Sequence, residues 1–407
     1  MTRLGRDYRL LAAATAVSTL GDGMRFAAMP LLAVALTRDP AQVALVGAAS
    51  TLPWLLLGVP AGLWVDRHHR VRAMVYADVA RALLAGAATG LLLAHRLGLP
   101  LLVAIAALMG SGEVVFDCAA MAVLPQLVVA EQLHRANGRL YAIQTSGRDL
   151  AGVVLGAALY TLQRALPLAV DAVSFVVSAA LLREVSGGDA FLQVRASDSV
   201  RGDLWVGVRA LVGEPLLVTF TLVAVVVNLV FLGQIAIMAP FVATELRLPA
   251  EAFGLFLAAS AAGGVVGGVA AAHLRTVVGD APLLIGSLLT QSIASIVIAS
   301  AQPMAAAACL FAGGLAVAMY SVTALSLRQS IVGPDRLGRV TGIYRTLTWG
   351  AMPAGATAFG WAAHLWGLRW PFVLGGALVL VATASSAPST VRATAVRASS
   401  TEAGSPT

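Results

Sequence analysis

Gly58-Val59-Pro60-Ala61-Gly62-Leu63-Trp64-Val65-Asp66-Arg67-His68-His69-Arg70-Val71-Arg72 is a short charged joint set between two long apolar runs. Three arginines, two histidines and one aspartate fall within the seven residues Asp66 to Arg72. The runs on either side, 41–65 and 73–94, are each long enough to cross a hydrocarbon core as a helix, which takes about 20 residues. A joint this short and this charged belongs at a membrane surface. Its small residues suit helices that cross closely, and an acid flanked by cations can pin a neighbouring helix end.

The same rhythm extends along the whole chain. Twelve candidate spans can be counted, at 10–36, 41–65, 73–94, 99–124, 140–161, 166–182, 216–241, 252–272, 281–300, 304–327, 341–363 and 370–387. The composition agrees, with 59% apolar and 12% charged residues among 407, against about 45–50% and about 25% in soluble domains. So few charges could not coat a water-soluble globule, and disorder needs the opposite balance. The first run follows Arg3, Arg6 and Arg9 like a signal peptide, but eleven more runs follow it, and a retained first helix is expected.

Several chemistries are excluded. All 27 basic residues are arginine, so there is neither a phosphate loop of the G-x-x-x-x-G-K type nor a Schiff-base lysine. Cys118 and Cys309 are too few for a thiolate zinc site. Neither H-E-x-x-H nor G-x-S-x-G occurs, so the usual hydrolase patterns are missing and no enzyme, metal or cofactor is expected. A pI near 10.2 would suggest nucleic acid in a soluble protein. Here the arginines sit in the joints between spans, where topology explains them and no nucleic-acid partner is implied.

With both termini on one side, that side collects eighteen arginines and the other only Arg38, Arg96, Arg164, Arg247 and Arg369. The rule that positive loops stay inside then puts both termini in the cytoplasm, and the all-arginine basic usage with heavy Ala, Gly and Val suggests a GC-rich genome and so a bacterial plasma membrane. The domains expected are an N-terminal six-helix bundle over 1–183, a cytoplasmic linker over 184–214, a C-terminal six-helix bundle over 215–387 and a disordered tail over 388–407. Within the linker, Leu204, Val208, Leu211 and Val212 have the spacing of a short amphipathic helix. The halves echo each other: Gly110, Gln126, Leu133, Arg135, Gly138 and Gly156 find counterparts 203 or 204 positions on in Gly313, Gln329, Leu337, Arg339, Gly342 and Gly360.

The 58–72 joint resembles the motif G-x-x-x-D-R-x-G-R-[RK] of the major facilitator superfamily. Gly62, Asp66, Arg67 and Arg70 stand at its fixed positions. His69 replaces a glycine and Val71 a base, with Arg72 supplying the displaced charge. The stretch Tyr344-Arg345-Thr346-Leu347-Thr348-Trp349-Gly350-Ala351-Met352-Pro353-Ala354-Gly355, followed by Gly367-Leu368-Arg369-Trp370, is similar to the eleventh span of drug- and siderophore-efflux members, the macrolide and enterobactin exporters among them. Gly21-Asp22-Gly23 and Asp203-Leu204-Trp205-Val206-Gly207 are similar to the same group, and Gly152-Val153-Val154-Leu155-Gly156 resembles the antiporter pattern G-P-x-L-G with Val153 in place of proline. The resemblance implies an all-α membrane fold of twelve transmembrane helices in two pseudo-symmetric six-helix bundles. It also implies the efflux direction, and a gating role for Asp66, Arg67 and Arg70 as an ion lock holding one state.

Charges inside the spans are the residues that carry chemistry. Asp22, Asp78, Glu113, Asp117, Asp149 and Asp171 all lie in the first half. Each would cost about 2.5–3.5 kcal/mol at mid-bilayer if it faced lipid alone, so they are expected to face water or to pair with arginine. Glu113 and Asp117, four apart, share a helix face; their repulsion and burial favour a proton on one of them, and with Asp22 they are the candidates for proton coupling. Arg25, Arg148 and Asp149 are candidates for cleft charges. Asp78 with Arg81 reads as a structural pair, Asp171 as a local packing residue, and Arg345 as a cation bonding loop carbonyls.

Phe26, Phe116, Asn228, Gln234 and Trp349 are candidates to line a mostly apolar substrate cleft. The small-residue run Gly263 to Gly268 reads as helix packing. The function expected is secondary active, proton-coupled efflux of a hydrophobic or amphipathic small molecule by alternating access, with protons and the lipid bilayer as partners and the chain acting as a monomer. Nutrient uptake, facilitated diffusion and a non-transporting sensor or lipid-flippase-like role are the alternatives.

Overall fold

The computed structural model describes residues 5–186, 208–249, 252–332 and 334–403, and within its helices the side chains of Asp66 and Asp149, among others, lie outside what is described. Among the described residues the regular structure is helical, with no strand. The first half runs α1 (Arg6–Leu36), α2 (Pro40–Asp66), α3 (Arg70–Leu93), α4 (Leu99–Leu127), α5 (Ala130–Gln144), a π-helical stretch (Thr145–Gly152), α6 (Val153–Leu162) and α7 (Leu166–Arg183). The second half holds the helices Pro215–Thr244, Phe253–Val278, Asp280–Ile298, Pro303–Ile331, Pro334–Trp366 and Trp370–Ala403.

Local sequence explains where these helices start and stop. Asp39 caps α2 by accepting the Ala41 N–H at 2.9 Å, with Pro40 at the first helical position, where its missing N–H costs nothing. Proline likewise opens α4, α7 and Pro303–Ile331. Gly279 alone joins Phe253–Val278 to Asp280–Ile298, with φ at +84°, a conformation that a side chain would oppose.

Ten helices are long and apolar enough to cross a membrane among the described residues. The stretches expected at 140–161 and 341–363 are not among those ten, although both are helical. Arg148 and Asp149 interrupt the apolarity of the first, and Gly, Trp, Pro and His dilute that of the second. The exterior is oily: Leu83 and Leu255 are 70% exposed, Val269 78% and Met304 84%. Alanine, in contrast, fills much of the interior, with Ala14, Ala27, Ala85, Ala106 and Ala119 fully buried. Large aliphatics outside and small residues inside suit a lipid solvent and close helix approach.

The chain divides into two compact units. One holds residues up to Ser197 together with Ala236–Ala258; the other holds Asp198–Ile235 and everything from Ala259. Ala236–Ala258 groups with the first unit, where Gly254 lies against Ala157. Residues 187–207, most of the expected linker, lie outside the described residues. Residues 208–212 form a helical turn whose Leu211 packs on Leu217, Val332 and Val340. The final helix extends past Pro388 to Ala403, and the last four residues of the expected tail lie outside the described residues.

In the first unit α1 is the axis. It packs on α7, on α6 and on the π-helical stretch, while α3 packs on α7 and α4. The approach to the π stretch is backbone to backbone. A Cβ on Gly23 would stand 2.3 Å from the Arg148 carbonyl, one on Gly152 2.6 Å from the Leu20 carbonyl, and one on Gly156 2.5 Å from Met24 Cα. The π stretch takes in an extra residue without breaking the helix, and two of the glycines of the antiporter-like segment meet α1 here. In the second unit the run expected to pack does so: a Cβ on Gly263 would meet the Phe311 carbonyl at 1.9 Å, and one on Gly267 the Leu315 carbonyl at 2.3 Å.

Gly23→Ala and Gly156→Ala should each destabilise the protein by about 1–3 kcal/mol through overpacking against backbone. Gly86→Ala, whose new methyl would meet nothing within 4 Å, should be neutral or better. Thermal unfolding of the detergent-solubilised variants measures both.

Candidate functional site

Asp22 stands one residue past the middle of α1 and Glu113 at the middle of α4. Both are buried, as are Arg25, Asp78, Arg81 and Asp171. In so apolar a setting a lone charge is expensive, and the structure joins these groups into one network.

Arg25 is its hub. Its Nη2 donates to Asp22 Oδ1 at 2.8 Å and to Glu113 Oε2 at 3.1 Å, and its Nε lies 3.5 Å from Asp171 Oδ2. Arg81 Nη1 donates to Asp22 Oδ2 at 3.3 Å, and its Nη2 donates to Asp78 Oδ1. Arg148, on the π-helical stretch, donates to the other oxygen of Glu113. The Arg81 guanidinium lies over two rings, 4.9 Å from the Phe116 centroid and 4.2 Å from that of Phe175. Ring faces attract a cation, so these aromatics hold Arg81 where water does not reach.

Four carboxylates therefore face three guanidiniums among the described side chains. Asp22 and Glu113 are each bonded by two arginines, while Asp78 is bonded through one oxygen only. Neither oxygen of Asp171 makes a hydrogen bond, and the residue is 0% exposed. Gly21 creates its niche: a Cβ there would stand 2.5 Å from Asp171 Oδ1 and 2.1 Å from Ser174 Oγ.

The expected site residues thus sort themselves. Asp22, Arg25, Glu113 and Arg148 converge. Asp117, one turn along α4, is half-buried and engaged in an interaction of its own; the side chain of Asp149 lies outside the described residues. Asp78 with Arg81, read as a separate structural pair, is tied to Asp22, and Asp171, read as local packing, faces the hub. Sequence reasoning missed these because α3 and α7 meet α1 only in the fold. Gly21 directly before Asp22 was the one local sign that another helix comes close.

Of the gating motif, Gly62 has open space around it and the Arg67 side chain is exposed. Arg70 Nη1 donates to the Ala122 carbonyl at 3.2 Å, tying the start of α3 to α4, and the side chain of Asp66 lies outside the described residues. The cleft candidates divide too. Phe116 is buried beneath Arg81, and Gln234 is buried with its amide donating to Ser295. Asn228 bonds back to the Ala224 carbonyl at 2.8 Å. Phe26 and Trp349 are half-buried, and Arg345 lies 4.5 Å over the Trp349 ring. Among the described residues, no group of three or more His, Cys, Asp or Glu is placed to hold a metal ion.

Arg25→Met should cost about 3–5 kcal/mol of stability, because it strands buried carboxylates. Adding Glu113→Gln should restore part of that loss, since one orphaned charge is then removed. Thermal unfolding of the single and double variants measures the difference.

Residues 5–406 match the model of a family described as transmembrane secretion effectors. The multidrug efflux pump Tap of Mycobacterium tuberculosis is 27% identical over 390 residues, covering 92% of this chain and 91% of its own. Among solved structures, a bacterial homologue of the iron transporter ferroportin in its inward-facing state matches with a TM-score of 0.73 at 20% identity, over 94% of this chain and 98% of that one. The nucleoside transporter NupG matches with a TM-score of 0.73 at 10% identity, over 95% and 99%. At such identities the structural likeness is one of fold.

Proposed function

The chain belongs to the transmembrane secretion effector family of major facilitator transporters, and from that premise we propose that it is a proton-driven exporter of hydrophobic or amphipathic small molecules. The observation that carries the reading is the buried network on Arg25, in which four carboxylates meet three guanidiniums. Such a cluster is neutral only with one proton added, and a buried net charge is costly enough to make that proton's presence depend on access to water. Opening the cluster first to one membrane face and then to the other would load and release the proton as the two bundles rock.

The export direction and the breadth of substrate rest on the likeness to Tap, a multidrug efflux pump. The arginine bias supports both termini in the cytoplasm. Asp66, Arg67 and Arg70 would set the balance between states at the joint of α2 and α3. Phe26 and Trp349, half-buried aromatics, are the substrate contacts proposed.

Everted membrane vesicles carrying the protein should accumulate ethidium when the interior is acid, and should stop when nigericin collapses the pH gradient. Asp22→Asn and Glu113→Gln should each lower that accumulation. Ethidium transport indifferent to the gradient would remove protons as the energy source.

A further inference from the structure

We infer that Asp171 is the group that takes up and gives back the coupling proton, and that Arg25 is the cation that exchanges between Asp171 and Glu113 as it does so. The inference rests on the exporter reading and adds the identity of the proton carrier.

Three observations on α7 and its neighbours carry it. Asp171 is 0% exposed and neither carboxylate oxygen accepts a hydrogen bond, whereas Asp22 and Glu113 are each held by two arginines and Asp78 by one. Of the four acids, it is the one the network leaves least neutralised. Next, the nearest cation is poised and incompletely used: Arg25 Nε makes no hydrogen bond and lies 3.5 Å from Asp171 Oδ2, too long for a bond and short enough for a small rotation to form one. Finally, Gly21 leaves the space that the carboxyl occupies, so α1 admits it by lacking a side chain.

The charged groups around Asp171 are two arginines and two acids, whose fields oppose one another. They are Asp22 and Arg25 from α1 and Asp78 and Arg81 from α3, while Arg25 is bonded in turn to Glu113 of α4, which Arg148 of the π-helical stretch also bonds. On α7 itself Ser174 donates to the backbone carbonyl of Asp171 rather than to its carboxyl. With the proton on, Asp171 is neutral and Arg25 stays with Asp22 and Glu113. When the carboxyl O–H breaks and the proton leaves to water, the new carboxylate draws Arg25 toward α7 and leaves Glu113 to Arg148. That exchange loosens α1 from α4 and tightens it on α7, coupling protonation to helix position.

The test uses the full-length protein in proteoliposomes with ethidium as probe. Asp171→Asn, fixed in the neutral form, should lose accumulation driven by the pH gradient, and its ethidium binding should lose the pH dependence of the wild type. Persistent gradient-driven accumulation by Asp171→Asn, with the wild type also gradient-driven, overturns this inference alone; a wild type indifferent to the gradient overturns the exporter reading beneath it. Infrared difference spectroscopy decides the matter should that variant fail to fold. The wild type should show a protonated-carboxyl C=O band that disappears on alkalinisation, is retained in Asp78→Asn and moves in Asp171→Glu. A carboxyl band that does not titrate, or one lost in Asp78→Asn, refutes the assignment.

Discussion

A guanidinium cannot be left alone in a helix bundle surrounded by lipid. Arg25, buried at mid-length in α1, is kept there by Asp22, Glu113 and Asp171, which come from three different helices. Each of those acids would in turn be costly without it. This mutual dependence orients α1, α4 and α7 about one point and brings α3 in through Arg81. The bundle is therefore specified by charge as much as by apolar packing. Among alanines and leucines that could slide past one another, a network of donors and acceptors admits few registers.

Backbone contact supplies the other half of the constraint. Gly23, Gly152 and Gly156 let α1 lie directly on the helix that carries Arg148. That proximity brings the Arg148 side chain to Glu113 from the side opposite Arg25. The π-helical stretch begins three residues before Arg148 and ends at Gly152, so the irregular turn and the buried-network cation coincide. Irregular helical turns are tolerated where packing or chemistry holds them.

The two halves share a plan but divide the labour. Buried acids are confined to the first unit among the described residues, whereas the interior polar groups of the second are amides, hydroxyls and Arg328, whose guanidinium lies 3.8 Å over the Tyr344 ring. Gln234, Ser295 and the Phe372 carbonyl form a neutral chain that needs no proton to be satisfied. The asymmetry is already present in where Asp and Glu fall along the chain.

Read alone, the sequence determines the solvent, the helical class and the family, because runs of about 20 apolar residues broken by arginine-rich joints have one stable home. It also determines which half carries the charge, and it singles out Asp22, Arg25, Glu113, Asp117, Arg148 and Asp149, since any ionisable group inside a span must find a partner. Only the tertiary structure decided which partner. Asp78 and Arg81 looked like a closed local pair because i,i+3 spacing satisfies them on one helix, and Asp171 read as local packing because no charged residue stands three or four positions from it. Phe116 and Gln234 were legible only as apolar and polar positions; the fold sets Phe116 against the Arg81 guanidinium and Gln234 against Ser295. Helical periodicity tells which face a side chain occupies on its own helix; it says nothing of the helix that comes to meet that face, and the network on Arg25 exists only because four other segments do.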